Sequence, residues 1–253
     1  MKEFYELKEK FIKIKNIGFI KSLRKGSTGI GYTFETLLGK KEDQETTPDF
    51  KGIEIKCKAK YTKYDLGLFT YNPKRDDILA TQYLFQKYSY HLNDNINMYR
   101  LFSRKIYADY KYELKNYSFK LKVNYLLKKI YIESYYKDQF CENVCYWNFN
   151  DLEERLMTKL KKLAIVYGYV YKIFDQTFYK YNSISFYKFK NFNKFLYLIE
   201  KGDIYIVVYL REDVNKLGDY IIKNNGFSFR IKNNCVEKLF DRINIWDVAK
   251  KAP

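Results

Sequence analysis

Pro48-Asp-Phe-Lys-Gly-Ile-Glu-Ile-Lys56 places an acid at the mouth of a short strand-like run and an acid and a lysine two residues apart within it. Side chains in a strand alternate between faces, so Glu54 and Lys56 share one face. Gly52 marks a bend or bulge, across which Asp49 can fold back beside Glu54. Two carboxylates beside an ammonium can hold a hard divalent cation, and Mg²⁺ suits them because it binds through one or two carboxylates and keeps waters. Such a set fits phosphodiester hydrolysis: the metal acidifies a water, and the lysine orients it and stabilises the developing charge. The spacing alone also describes a solvated charged strand in a lysine-rich chain, so its surroundings decide.

Upstream, residues 2–13 have helical periodicity through Phe4, Leu7, Phe11 and Ile12. A glycine-rich stretch, Lys25-Gly-Ser-Thr-Gly-Ile-Gly31, leads into an expected short helix over 32–38 that Gly39 stops. Residues 40–48 are expected as a polar loop. Downstream, strands are expected at 63–71, 117–125, 164–173, 178–189, 204–210 and 227–231. Helices are expected at 76–90, from Asn150 along the stripe Leu152, Leu156, Leu160 and Leu163, at 191–200, and at Val236, Leu239, Phe240 and Ile243. Residues 212–226 are expected as a polar loop. Helices and strands interleave, so the expected class is mixed α/β or α+β.

The chain of 253 residues can bury a sizeable core. Lys plus Arg number 47 against 30 for Asp plus Glu, a formal charge of +17, which favours a polyanionic partner because each contacted phosphate releases counterions. The 28 Tyr and 20 Phe are read as the codon bias of an AT-rich genome rather than as a binding code. A single histidine, His91, argues against Ser-His-Asp or Cys-His catalysis and against a structural zinc site built on Cys141 and Cys145. No apolar run approaches the ~20 residues a membrane span needs. The charged amino terminus does not read as a secretory signal, so a cytoplasmic location with reduced cysteines is expected.

Lys25 to Gly39, followed by Pro48 to Lys56, resembles the signature of the MvaI/BcnI restriction endonucleases, relatives of the mismatch-repair nickase MutH within the PD-(D/E)xK nucleases. Leu68-Phe-Thr-Tyr-Asn-Pro73 resembles the family's next strand. Tyr146-Trp-Asn-Phe-Asn-Asp-Leu152, with Lys159 beyond it, resembles its middle segment, and Gly226-Phe-Ser-Phe-Arg-Ile231 its carboxy-terminal Phe-Arg motif. The similarity covers most of the chain and is weakest over 100–145.

The resemblance implies a single endonuclease domain over 1–253, with a restriction-endonuclease-like mixed sheet flanked by helices and two lobes around a DNA cleft. The catalytic lobe is expected at about 1–105 and the recognition lobe at 106–253. Asp49 and Glu54 resemble the metal ligands, Lys56 the catalytic lysine, and Glu35 the helical acid that supports the site. Arg230 resembles an arginine that reads a guanine, although its residue type also suits clamping a phosphate or pairing with an acid. Arg211, Lys25, Ser27 and Asn225 complete the candidate DNA contacts. Two departures lie in the recognition half. Asn224-Asn225 stands where the family tends to have a histidine, and Val207 to Arg211 replaces an acid-arginine pair. They leave cleavage intact and leave open whether the family's usual CC-containing target applies.

The expectation is therefore a type II restriction endonuclease, Mg²⁺-dependent, acting on double-stranded DNA as a monomer that nicks the two strands in turn. A companion methyltransferase would be encoded nearby. A MutH-like repair nickase and a non-catalytic DNA-binding protein are the alternatives.

Overall fold

Helix α1, Lys2–Ile17, runs four residues past its expected end and buries Phe4, Leu7, Phe11 and Ile14 along one stripe. The computed structural model describes residues 1–40, 47–94, 97–108 and 117–246. Residues 41–46 of the expected polar loop lie outside them. After α1 come strand β1 (Ile20–Lys21), helix α2 (Gly29–Leu37), β2 (Glu54–Ala59), β3 (Leu66–Thr70) and α3 (Ala80–Tyr88). Five strands follow: β4 (Tyr90–Asp94), β5 (Asn97–Ile106), β6 (Tyr117–Asn124), β7 (Lys129–Tyr136) and β8 (Gln139–Asn148). Then come α4 (Phe149–Lys159), β9 (Lys162–Ile173), β10 (Gln176–Phe189), α5 (Phe192–Glu200), β11 (Ile204–Val214) and β12 (Tyr220–Ile231). A 3₁₀ turn, helix α6 (Val236–Leu239) and β13 (Phe240–Ile243) complete the order. The class is mixed α+β.

The described chain divides into two compact units, each assembled from separate stretches rather than by one cut near residue 105. The first comprises 1–64, 154–190 and 237–253; the second comprises 65–153 and 191–236. The first unit carries a sheet of order β1-β10-β9-β2, with β13 also on β10. Its ladders are antiparallel except β2 on β9, which is parallel with Glu54 beside Leu163 and Lys56 beside Ile165. One sheet face, with Ile55, Ala164, Val166, Tyr181 and Phe186, packs against the buried stripes of α1 and α2. The other face carries Glu54 and Lys56. The second unit holds a sheet of order β3-β12-β11-β5-β4 and the meander β6-β7-β8. Its core includes Phe69 stacked on Phe229, with Trp147 packed edge-on to Phe229.

Several expected elements differ. Leu163 continues the leucine spacing of α4, yet α4 stops at Lys159 and Leu163 lies in β9. A buried leucine satisfies either period, so the stripe did not reveal where the helix ended. Residues 212–226 are largely ladder rather than loop, because β11 and β12 continue as a polar ribbon. Its turn is set by Asn215, whose side-chain oxygen accepts N–H bonds from Leu217 and Asp219 at 2.8 and 2.9 Å. Backbone pairing closed by such a turn needs no apolar alternation. The last helix spans four residues, and Phe240 and Ile243 belong to β13, paired with β10. Strand β2 starts at Glu54 rather than Phe50, because 50–53 form a tight turn.

Candidate active site

That turn builds the site. Phe50 and Ile53 exchange backbone hydrogen bonds of 3.0 and 2.8 Å. Between them Lys51 and Gly52 both take positive φ, 45° and 79°, as a two-residue type I′ hairpin requires. The hairpin reverses the chain between Asp49 and Glu54. Asp49 then accepts the Ile55 N–H on Oδ2 at 2.8 Å and meets the Lys40 ammonium on Oδ1 at 2.6 Å. Sequence spacing gave no sign of Lys40, which follows the Gly39 stop of α2.

Glu54 is 2% exposed. Its Oε1 lies 2.6 Å from the Lys56 ammonium and 3.7 Å from that of Lys159, at the end of α4. Its Oε2 is buried without a hydrogen-bond partner, an unusual condition for a buried carboxylate oxygen. Burial raises the Glu54 carboxyl above its ordinary value of 4.5 and the Asp49 charge adds to this, while Lys56 and Lys159 oppose it. Glu35, on α2, is raised as well, first by burial and then by the Asp49 charge, with Lys40 and Lys56 acting the other way. Glu35, Asp49, Glu54 and Lys56 thus share one electrostatic environment, with Lys40 and Lys159 added to them.

Among the described residues no group of three or more His, Cys, Asp and Glu side chains stands ready to cage a metal. The donor set is two carboxylates with one orphaned buried oxygen. That suits a cation which completes its shell with water and substrate oxygens.

The candidate DNA contacts are dispersed. Lys25 and Ser27 lie exposed in the turn before α2. This turn is tight at Gly29, where a Cβ would fall 2.4 Å from the Tyr179 hydroxyl and 2.6 Å from the Arg24 carbonyl oxygen. Glycine there permits the packing. Arg24 stacks over Tyr32 at 3.9 Å. Arg211, Asn225 and Arg230 belong to the second unit. Arg211 pairs with Asp213 at 2.9 Å, and Asn225 is exposed beside Asn224, whose side chain accepts the Gly226 N–H at 2.7 Å. Arg230 lies opposite Tyr205 in the β11–β12 ladder, and its Nε is buried without a hydrogen-bond partner. Arg211 and Arg230 lie toward opposite ends of that ladder.

The MvaI/BcnI restriction endonuclease family model matches residues 8–240. A solved structure described as the restriction endonuclease MvaI in complex with cognate DNA substrate is 27% identical, with a TM-score of 0.85, and the match covers 96% of this chain and 98% of that one. MvaI in the absence of DNA is 26% identical with a TM-score of 0.62, covering 96% and 97%. A comparison with curated proteins finds no match. No helix among the described residues is long and apolar enough to cross a membrane. Restriction endonucleases in general depend on a divalent metal ion. The hairpin-built acid-acid-lysine set and a match over nearly the whole chain agree: this chain belongs to the MvaI/BcnI restriction endonuclease family and is a type II restriction endonuclease.

Proposed function

We propose that Asp49 and Glu54 hold Mg²⁺, that Lys56 is the catalytic lysine and Glu35 a supporting acid, and that the protein cuts both strands of duplex DNA at a short sequence. The observation that carries this reading is Glu54, a buried carboxylate with one oxygen on Lys56 and the other unpartnered. When bound, Mg²⁺ acidifies a water and neutralises charge developing on phosphorus. Asp49 is held by the Ile55 N–H, so its carboxylate faces the site at little entropic cost. Lys56 orients the attacking water and stabilises the charged oxygens of the phosphorane. Lys40 and Lys159 balance the acids, and Glu35 sets the local field by its charge on Lys40 and Lys56.

The base-reading part of the proposal rests on Arg230, a half-buried arginine of β12 whose guanidinium is of the type that pairs with a guanine edge or a phosphate. Arg211, Lys25, Ser27 and Asn225 are proposed as further DNA contacts. In this reading the first unit cleaves and the second reads. The protein acts as a cytoplasmic monomer, cutting the strands in turn, with a methyltransferase encoded nearby to protect the host.

Incubation with plasmid and phage DNA, with and without Mg²⁺, followed by sequencing of the ends tests the proposal. Discrete double-strand fragments ending at one motif only with Mg²⁺ are expected. Persistent nicked circles indicate a repair-type nickase instead, and DNA that shifts on a gel but stays intact rules out the catalytic reading.

A further inference from the structure

The catalytic sheet of the first unit does not end at the active site. Along β2 the face that carries Glu54 and Lys56 continues through Lys58, which sits beside Tyr167 in the parallel ladder. The chain then leaves β2, but Lys60 still donates its N–H to the Gly168 carbonyl at 2.9 Å. Its ammonium reaches the Tyr169 hydroxyl at 2.8 Å, so Lys60 is on the same face. Beyond this point β9 and β10 run on as a ribbon to the turn at Phe174 and Asp175, with β1 paired to β10 at Tyr179 and Phe178.

Two rows of side chains cross that ribbon on the catalytic face. In the first, Tyr169 pairs with Lys180 across the strands, and the Lys180 ammonium lies 5.4 Å from the Phe19 ring. Lys60 closes the row, 4.9 Å from the Tyr169 ring. In the second, Tyr171 faces Phe178, and Phe178 faces Lys21 of β1. Phe19 and Tyr171 join the rows edge to face at 4.9 Å. Phe19 is 56% and Tyr171 38% exposed, and Lys21, Lys60 and Lys180 are exposed. No carboxylate belongs to either row. Single exposed aromatics need no explanation; a joined set interleaved with three lysines is a different object. Lysine ammoniums and tyrosine hydroxyls are groups that bond phosphate oxygens, independently of sequence.

Lys60 is four residues along from Lys56, about 13 Å at the strand rise of ~3.3 Å per residue. That length equals the rise of about four base pairs of a duplex at ~3.4 Å per pair, so one duplex is long enough to meet both the Glu54 site and this face.

We propose that this basic-aromatic face, carried by Lys21, Lys60, Tyr169, Tyr171 and Lys180, grips the sugar-phosphate backbone of duplex DNA flanking the cut site. The proposal rests on DNA being the substrate of the Glu54 site. It adds a sequence-independent foothold beside the chemistry, and it makes affinity depend on how far the duplex extends past the recognised bases.

The test is the triple variant Lys21→Ala, Lys60→Ala, Lys180→Ala, all exposed positions, compared with wild type on two duplexes. One ends at the recognised sequence; the other extends about one helical turn (~10 base pairs) on each side. Binding is measured without metal over a salt series, and cleavage with Mg²⁺. Wild type should bind the long duplex at least tenfold tighter than the short one. The variant should lose that gain, with a salt slope on the long duplex shallower by about three, one per phosphate contact. Cleavage of the short duplex should be unchanged. A variant that keeps the length dependence overturns the proposal. So does equal weakening on both duplexes, or a wild-type self-association that the variant abolishes, which would make the face an interface between copies. Failure of wild type to cut either duplex strikes instead at the nuclease reading of the Glu54 site.

Discussion

The segment Asp49 to Lys56 and the strand β12, Tyr220–Ile231, both carry residues expected to act on DNA, and they are built differently. In the first, one hairpin of two positive-φ residues brings two acids and a lysine together within eight consecutive positions. Every group there is held by a named partner except one oxygen of Glu54. In the second, Arg230 stands opposite Tyr205, beside a register shift between β12 and β3, while Asn225 and Arg211 lie elsewhere along β11 and β12. The constellation proposed to break the bond is local in sequence and pre-assembled. The groups proposed to read bases are spread along a ladder and draw their arrangement from pairing across the sheet. Substitutions in the first should therefore cost more than substitutions in the second.

The largest effect should come from Glu54→Gln, which keeps the shape of the side chain and removes the charge. Cleavage should fall at least a thousandfold, on the order of 4 kcal/mol of transition-state stabilisation, as read by single-turnover kinetics with Mg²⁺. A loss under tenfold would place the metal elsewhere. Lys56→Ala should cost about a hundredfold in the same assay, with DNA binding little changed; a loss seen only in affinity would make Lys56 a phosphate clamp. Arg230→Ala should leave cleavage chemistry intact and weaken discrimination at one base pair by about 1–3 kcal/mol. Equal weakening on every sequence would show a phosphate contact instead.

The smallest effect is on stability. Burial raises the Glu54 carboxyl in the folded chain above 4.5, so the folded state holds that proton more tightly than the unfolded chain does. Below pH 4.5 both states are protonated and the ionisation cost is absent. As pH rises through the folded value the carboxylate must ionise in a buried place, and stability declines relative to a neutral side chain. Glu54→Gln should therefore melt a few degrees higher than wild type at neutral pH without metal, and the gain should shrink toward pH 4. A variant less stable at neutral pH would mean that the pairing with Lys56 and Lys159 outweighs burial.

The same contrast explains what could be read in advance. The strand register that puts Glu54 and Lys56 on one face follows from period two, and Gly52 announced the reversal. The apolar stripe of α1 was likewise visible, since it buries one clean period, and β9 and β10 showed as long runs of apolar and aromatic residues. Lys40 was not legible, because its role depends on where the chain lies after Gly39. Lys159 stood in a segment that resembles the family, yet nothing in its spacing showed that the end of α4 meets Glu54. The ribbon of β11 and β12 escaped notice because an Asn215 turn and a backbone ladder hold it without apolar alternation. The two units were illegible for a related reason: the chain crosses between them four times, at 64–65, 153–154, 190–191 and 236–237, without a glycine- or proline-rich linker at any crossing.

Asp49→Ala tests the central claim most directly, because Asp49 stands outside the strand and reaches the site only through the hairpin. The variant is incubated with a plasmid and Mg²⁺, and its affinity for the same DNA is measured without metal. The account predicts no cutting with binding retained. Cutting at the wild-type rate would contradict the assignment of the site.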